Sequence, residues 1–210
     1  MQETILQILQ DTRLGLDIET SRVVSQIRQY LQLLLKWNQK INLTAEKDPA
    51  EILKKHVFDS LQYVRAIEPG FRMMDIGSGA GFPGILLKII FPQLQLVLLE
   101  SQRKRCSFLE TVVRDLAMEQ VKVFNARAED IPGDQAGPFD VVVFRAVSGV
   151  QQCLNLSTKF LPSGGMVVLK KSPGENQLGS HPEFSLQKEV AITSYHGVVS
   201  SLLVFEKCFT

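Results

Sequence analysis

Two hydrophobic periods divide this chain. Near its start, Ile5, Leu6, Leu9 and Leu14 recur at helical spacing, which predicts an amphipathic helix over 3–14 and a turn at Gly15. Thr20 or Ser21 is placed to cap a second helix, whose stripe runs through Val23, Val24, Ile27, Leu31, Leu34 and Leu35 to Trp37. Such a stripe needs a surface to cover, so these helices are expected to form an accessory layer on a core. The stretch from Lys36 to Thr44 breaks the pattern. Trp37, Asn38, Lys40 and Asn42 follow one another in a predicted loop. It reads equally as a helix C-terminus with Asn38 or Asn42 in a left-handed cap, or as a loop facing RNA bases. Asp48-Pro49 opens a third helix carrying His56, Asp59 and Ser60. By itself, His56 fits a hydrogen-bonded structural residue better than a catalyst.

From Met73 onward the period changes. Short apolar runs predict strands at Met73–Ile76, Leu94–Leu99, Val121–Phe124, Phe139–Phe144 and Met166–Leu169. Helices are predicted between them at Gly84–Ile90, from Arg103 through Val113, and at Leu154–Phe160. Glu189–Tyr195 and Val198–Glu206 alternate around His196-Gly197, a closing antiparallel hairpin. The stretch from Ser172 to Pro182, rich in Gly, Ser and Pro, is expected to be a mobile loop. The fold class is therefore α/β: a seven-stranded, mostly parallel, doubly wound sheet with an antiparallel terminal hairpin and an N-terminal helical extension. Residues 1–60 are assigned to the extension and 61–210 to the sheet domain. Ligands of such sheets sit at the carboxyl ends of the strands. Asp75, Gly77, Gly79, Glu100, Glu129, Arg145 and Lys170 all fall there.

Composition narrows the class. With 210 residues, 45% hydrophobic and 21% charged, the chain suits one sizeable domain and its extension. A net charge of +1 means that any nucleic-acid contact must come from a local patch. Cys106, Cys153 and Cys208 are far apart and lack metal-ligand spacing, which predicts reduced thiols, a cytoplasmic location and no metal. The first residues lack a signal-peptide pattern, and no apolar run is long enough to span a membrane. No exposed apolar stripe calls for a second copy, so a monomer is expected.

The candidate chemistry lies in Asp75-Ile-Gly77-Ser-Gly79-Ala-Gly81-Phe82-Pro83-Gly84. A strand ends in a carboxylate, glycines follow at alternating positions, and Pro83 stands where a helix begins. Gly79, Gly81 and Gly84 match the dinucleotide fingerprint, and Glu100 ends the next strand, where it suits ribose hydroxyls. Asp75 argues against a pyrophosphate on this turn. S-adenosylmethionine offers instead an ammonium and a sulfonium for the carboxylate, and its own carboxylate for the backbone N–H groups. The acidic pair Glu129-Asp130 after the third strand offers an acceptor to an adenine amine. A nicotinamide-dependent oxidoreductase on the same turn and a non-catalytic ribosome-binding module are the alternatives.

Several motifs together resemble one family. They are Trp37-Asn38 with Asn42-Leu-Thr44, His56 with Asp59-Ser60-Leu61, the glycine turn, Leu99-Glu100-Ser101 with Lys104-Arg105 and Phe108-Leu109, Arg127 with Glu129, Arg145-Ala146, and Gly164-Gly165 with Lys170. Over 33–171 the chain is similar to the RsmG (GidB) methyltransferases, which modify N7 of a guanine in small-subunit ribosomal RNA. The resemblance implies a Rossmann-like class I S-adenosylmethionine-dependent methyltransferase that yields S-adenosylhomocysteine. It implies donor contacts at Gly77, Phe82, Ala128, Glu129 and Arg145, to which the reading of the turn and strand ends adds Asp75, Gly79, Gly81 and Glu100. RNA contacts are expected at Lys36, Asn42, His56, Arg103, Lys104, Arg127, Lys170 and Lys171, with Arg145, Asn42 and Lys170 as candidates nearest the chemistry. Two positions depart from the family pattern: Glu100 stands where Asp is usual, and Lys-Ser-Pro follows Lys170 where glycine is expected.

Overall fold

The computed structural model describes residues 1–132, 137–145, 149–171 and 180–208. The sheet has the strand order β3-β2-β1-β4-β5-β7-β6. Its strands are β1 (Arg72–Ile76), β2 (Gln95–Glu100), β3 (Val121–Asn125), β4 (Val141–Phe144), β5 (Met166–Lys170), β6 (Phe184–Thr193) and β7 (Val199–Lys207). β1 to β5 pair in parallel, while β7 runs antiparallel to both β5 and β6. Strand order reverses between β1 and β4, which places the ligand crevice above their carboxyl ends.

The central strands read as unbroken apolar runs because both faces are covered. Successive residues nonetheless divide between two cores. Met73, Leu96, Leu98, Val141 and Val143 face one, and Met74, Val97, Leu99, Val142 and Phe144 face the other. The first core also holds Ile5, Ile8 and Leu9 from α1 (Gln2–Leu9) and Val23, Ile27, Tyr30, Leu31 and Leu34 from α2 (Thr20–Asn38). On that side α2 packs against α5 (Gly84–Ile90) and α6 (Arg103–Asp115). Along the chain between α2 and β1 lies a continuous helical run. It comprises α3 (Pro49–Ile52), a π-turn (Leu53–Val57), α4 (Phe58–Leu61) and a 3-10 turn (Gln62–Arg65). Asp48 caps it by accepting from the Glu51 N–H at 3.2 Å, with Pro49 in the first turn. On the second side, α7 (Val150–Ser157) contributes Val150, Cys153 and Leu154.

Several local expectations are corrected. The first helix stops at Leu9, and Leu14 reaches the core from the turn after it. Glu19, not Thr20 or Ser21, caps α2, because its carboxylate accepts from the Ser21 and Arg22 N–H groups at 3.0 Å. Trp37 and Asn38 belong to the last turn of α2, and neither Asn38 nor Asn42 has a positive φ. β6 begins five residues before the expected Glu189, at Phe184. It is an edge strand whose residues from Ser185 to Glu189 are exposed, so no alternation marks them. Ala146, and residues 172–179 of the expected mobile loop, lie outside the described residues.

Candidate functional site

The turn after β1 is built from its own backbone. Gly77, Gly79 and Gly81 have φ of 76°, 56° and 89°, a region that costs a side chain strain. The Gly77 and Ser78 N–H groups donate to Leu99 O at 2.8 and 3.1 Å, and Gly81 N–H donates to Ser78 O at 2.7 Å. Gly79 N–H donates to Glu100 Oε2, and Gly84 N–H to Asp75 Oδ2, both at 2.9 Å. These N–H groups, expected to be open to a ligand, are thus taken up inside the chain. A pyrophosphate would find the same groups occupied and two carboxylates beside them. A Cβ on Gly84 would lie 2.7 Å from Asp75 Oδ2 and 2.8 Å from Leu98 Cδ2.

Asp75 is wholly buried beneath this turn and does not stand at its surface. Burial pushes its carboxyl up to about 7, against the lowering effect of the Gly84 bond. Its Oδ1 has no hydrogen-bond partner among the described residues. A buried acceptor with nothing to accept fits a cationic donor group at the end of β1.

A cavity of about 190 Å³ opens beside the turn, lined by Ile76, Gly77, Glu100, Ala128, Glu129 and Gln152, among others. Arg127 lines it too. Glu100 is buried, and its two oxygens hold Gly79 N–H and, at 2.8 Å, Gln102 N–H. Each keeps lone pairs to spare, so the carboxylate can also accept from a diol. Its extra methylene relative to Asp lets it reach back across the turn to Gly79. An adenosyl group fits this chamber: a carboxylate for its ribose, Leu99 and Leu156 for its ring, and Glu129 at the rim.

Around Phe82 stands a second cluster. The Arg145 guanidinium lies 4.7 Å from the Phe82 ring centre, and the His56 ring stacks on Phe82 at 5.2 Å and 25°. Both terminal nitrogens of Arg145 donate to His56 Nδ1 at 3.2 Å. Burial lowers the Arg145 pKa, while Tyr63, Tyr30, Asp59 and Asp75 favour its charge. Tyr30 Oη donates to Ala80 O and Tyr63 Oη to Phe144 O, each at 2.6 Å, pinning the glycine turn and the end of β4.

The expected RNA contacts separate into two groups. Lys36, Asn42, Arg103, Lys104 and Arg127 are exposed. Asn42 is tied to α6 through its carbonyl, which accepts from Arg105 at 3.4 Å. The other three are partly buried and have partners within the chain. His56 is half-buried against Phe82. Lys170 donates to Asp59 at 2.5 Å, and Lys171 lies 3.5 Å from Glu189, so neither is a free cation. The spacing of the motifs did not reveal Glu46, Tyr30, Tyr63, Gln152 or Leu156. A tyrosine within an apolar stripe and a glutamate within a polar loop carry no distinguishing signal. Among the described residues no group of three or more His, Cys, Asp or Glu could hold a metal ion. No described helix is long and apolar enough to cross a membrane.

Comparison with known proteins gives this geometry a family. A ribosomal RNA small subunit methyltransferase G from Streptococcus pyogenes is 42% identical over 164 residues, covering 75% of this chain and 69% of the relative. Among solved structures, a MtNAS variant in complex with S-adenosylmethionine aligns over 99% of this chain and 89% of its own, with TM-score 0.59 and 14% identity. A precorrin-6y C5,15-methyltransferase from Geobacter metallireducens aligns over 79% and 91%, with TM-score 0.51 and 16% identity. At such identities these two share the fold alone. The family model described as rRNA small subunit methyltransferase G matches residues 23–202, and the chain belongs to that family, GidB.

Proposed function

We propose that this protein transfers a methyl group from S-adenosylmethionine to N7 of a guanine in small-subunit ribosomal RNA. The observation that carries the reading is the pairing of an unpartnered, buried Asp75 Oδ1 with the Glu100-lined chamber on one glycine turn, in a chain of this family. Asp75, Gly77, Gly79, Gly81, Phe82, Glu100, Ala128, Glu129 and Arg145 hold the donor. Bound there, the donor supplies an electrophilic methyl on a positively charged sulfur.

The chain's own residues orient and exclude water. Phe82, held by Tyr30 and His56, gives the Arg145 guanidinium an apolar face to lie on. Guanine N7 has an in-plane lone pair and no proton to lose, so neither a general base nor a metal is needed. Alignment therefore supplies most of the rate. Exposed Lys36, Arg103, Lys104 and Arg127 receive the RNA backbone, and Arg145 stands nearest the acceptor. Residues 1–60 act as an extension of the methyltransferase domain over 61–210, carrying Lys36, Asn42 and His56 to the acceptor side. The protein works as a cytoplasmic monomer.

The test uses small subunits and free ribosomal RNA lacking the modification, tritiated donor, and borohydride–aniline cleavage at 7-methylguanine. Label at a single cleavable guanine is expected, and a label resistant to cleavage would overturn the choice of N7. Donor binding with no transfer to either substrate would favour the ribosome-binding module.

A further inference from the structure

Among the described residues no carboxylate forms an ion pair with Arg145, and its guanidinium is held by a ring nitrogen instead. Its guanidinium, always a donor, meets the His56 ring at Nδ1, so that nitrogen must present its lone pair. The ring proton then sits on Nε2, which lies 2.9 Å from both Glu46 Oε2 and Thr44 Oγ1. Thr44 in turn donates to the same Glu46 oxygen at 3.0 Å. One imidazole thus links a carboxylate to a guanidinium and separates their charges.

The chain builds this link deliberately. Asn38, at the end of α2, gathers the following loop around its amide. Its Oδ1 accepts from Leu43 and Thr44 N–H at 2.8 and 3.0 Å, and its Nδ2 donates to Thr44 O and Glu46 O at 3.1 and 3.2 Å. That fixes Thr44 and Glu46 opposite His56. His56 itself projects from the π-turn Leu53–Val57, a departure from α geometry that recurs where a helix places a functional side chain.

We propose that Glu46 and His56 are positioning residues for Arg145. The carboxylate holds the imidazole proton on Nε2, the free Nδ1 aligns the guanidinium beside Phe82, and a proton gained at Nδ1 releases Arg145 and stops methyl transfer. The inference rests on the function proposed above, in which Arg145 serves the reaction.

The charged groups around His56 agree with a neutral ring. Burial lowers its pKa first and the Arg145 charge second, while Glu46 from the loop and Asp59 from its own helical run oppose them. Lys55 sits on the far side of Glu46 at 3.3 Å. Around Arg145 the other titratable groups are Tyr30, Tyr63, Asp59 and Asp75. A second proton on His56 would set two cations 3.2 Å apart.

The test reads the shape of the pH profile, not its plateau. Single-turnover transfer to small subunits with saturating donor should show an acid limb in the natural protein. In His56→Asn the amide oxygen replaces Nδ1 as acceptor and cannot ionise, so the limb should vanish. Glu46→Gln keeps an acceptor for Nε2–H and removes the charge that favours imidazolium. Its limb should move to lower pH, by on the order of one unit. A merely structural role would leave the limb where it was in both variants. A limb that persists in His56→Asn, or moves upward in Glu46→Gln, overturns the proposal. Nitrogen NMR of the folded natural protein supplies a readout independent of activity and of either variant's folding. It should show the Nε2–H tautomer, and the Nδ1–H tautomer would overturn the relay outright. The expected tautomer with no transfer to any small-subunit RNA would instead fail the proposed function and leave the link between the three residues standing.

Discussion

Asp75 accepts from the Gly84 N–H through Oδ2 at 2.9 Å, while its Oδ1 is buried with no partner among the described residues. One side chain thus fastens the first helix after the turn and keeps an unused acceptor beneath the glycines. Burial raises its pKa from 3.8 to about 7. Between those values the folded chain keeps a proton that the unfolded chain has lost. This group's contribution to stability is therefore full below the unfolded value and declines as pH rises through about 7. Asp75→Asn should flatten that part of the stability–pH curve.

The same proton should report on the ligand. A cation arriving beside Asp75 favours its ionised form, so donor binding just below the Asp75 pKa should release a proton. Calorimetry in buffers of different ionisation enthalpy measures that release directly. Asp75→Asn should bind more weakly and with no buffer dependence. An unchanged proton count in the variant would show that the ligand does not couple to this carboxylate.

Gly84 owes its identity to packing. Because an added methyl would lie 2.7 Å from the Asp75 oxygen that caps it, Gly84→Ala should separate α5 from β1. Overpacking of this kind costs about 1–3 kcal/mol. Thermal unfolding should show the loss, together with weaker donor binding because the whole turn shifts.

Tyr30 makes the N-terminal helices part of the site. It is buried, donates to Ala80 O at 2.6 Å, and meets Phe82 edge-on at 5.7 Å. Tyr30→Phe keeps the ring and removes the hydroxyl, leaving a buried carbonyl unsatisfied at a cost of about 1–3 kcal/mol. Stability should fall by that order, and the Kd for donor should rise through the turn. Unchanged donor affinity would mean that α2 merely covers the sheet.

How far the sequence foretells this arrangement depends on whether the signal is periodic or positional. β1 to β5 are legible as short apolar runs, and the turn is legible because the first of those runs is followed by glycines whose φ other residues adopt only with strain. Nothing in the neighbourhood of Lys170 and Lys171 along the chain announces Asp59 or Glu189, which folding brings to them from distant segments. Glu46 is hidden for the same reason, as one acid in a polar loop. Its place opposite His56 follows from four hydrogen bonds to the Asn38 amide, which no pattern of hydrophobicity encodes. β6 is obscured by its edge position, where exposed residues outnumber buried ones.

The pairing of Lys170 with Asp59 and of Lys171 with Glu189 bears on RNA affinity. If paired lysines contribute little to the backbone contacts, those contacts fall to Lys36, Arg103, Lys104 and Arg127, which are exposed. Binding of a polyanion by such residues weakens with salt in proportion to the counterions released, about 0.7–0.9 in log–log slope for each phosphate neutralised. The double variant Arg103→Ala, Lys104→Ala should therefore bind small-subunit RNA more weakly at low salt and show a slope shallower by about 1–2. Its melting temperature should hold, since both side chains project into solvent from the start of α6. Lys171→Ala should lose its contact with Glu189 and leave the slope nearly unchanged. Filter binding across a salt series distinguishes the two, and a larger slope change for Lys171→Ala would return that lysine to the RNA surface.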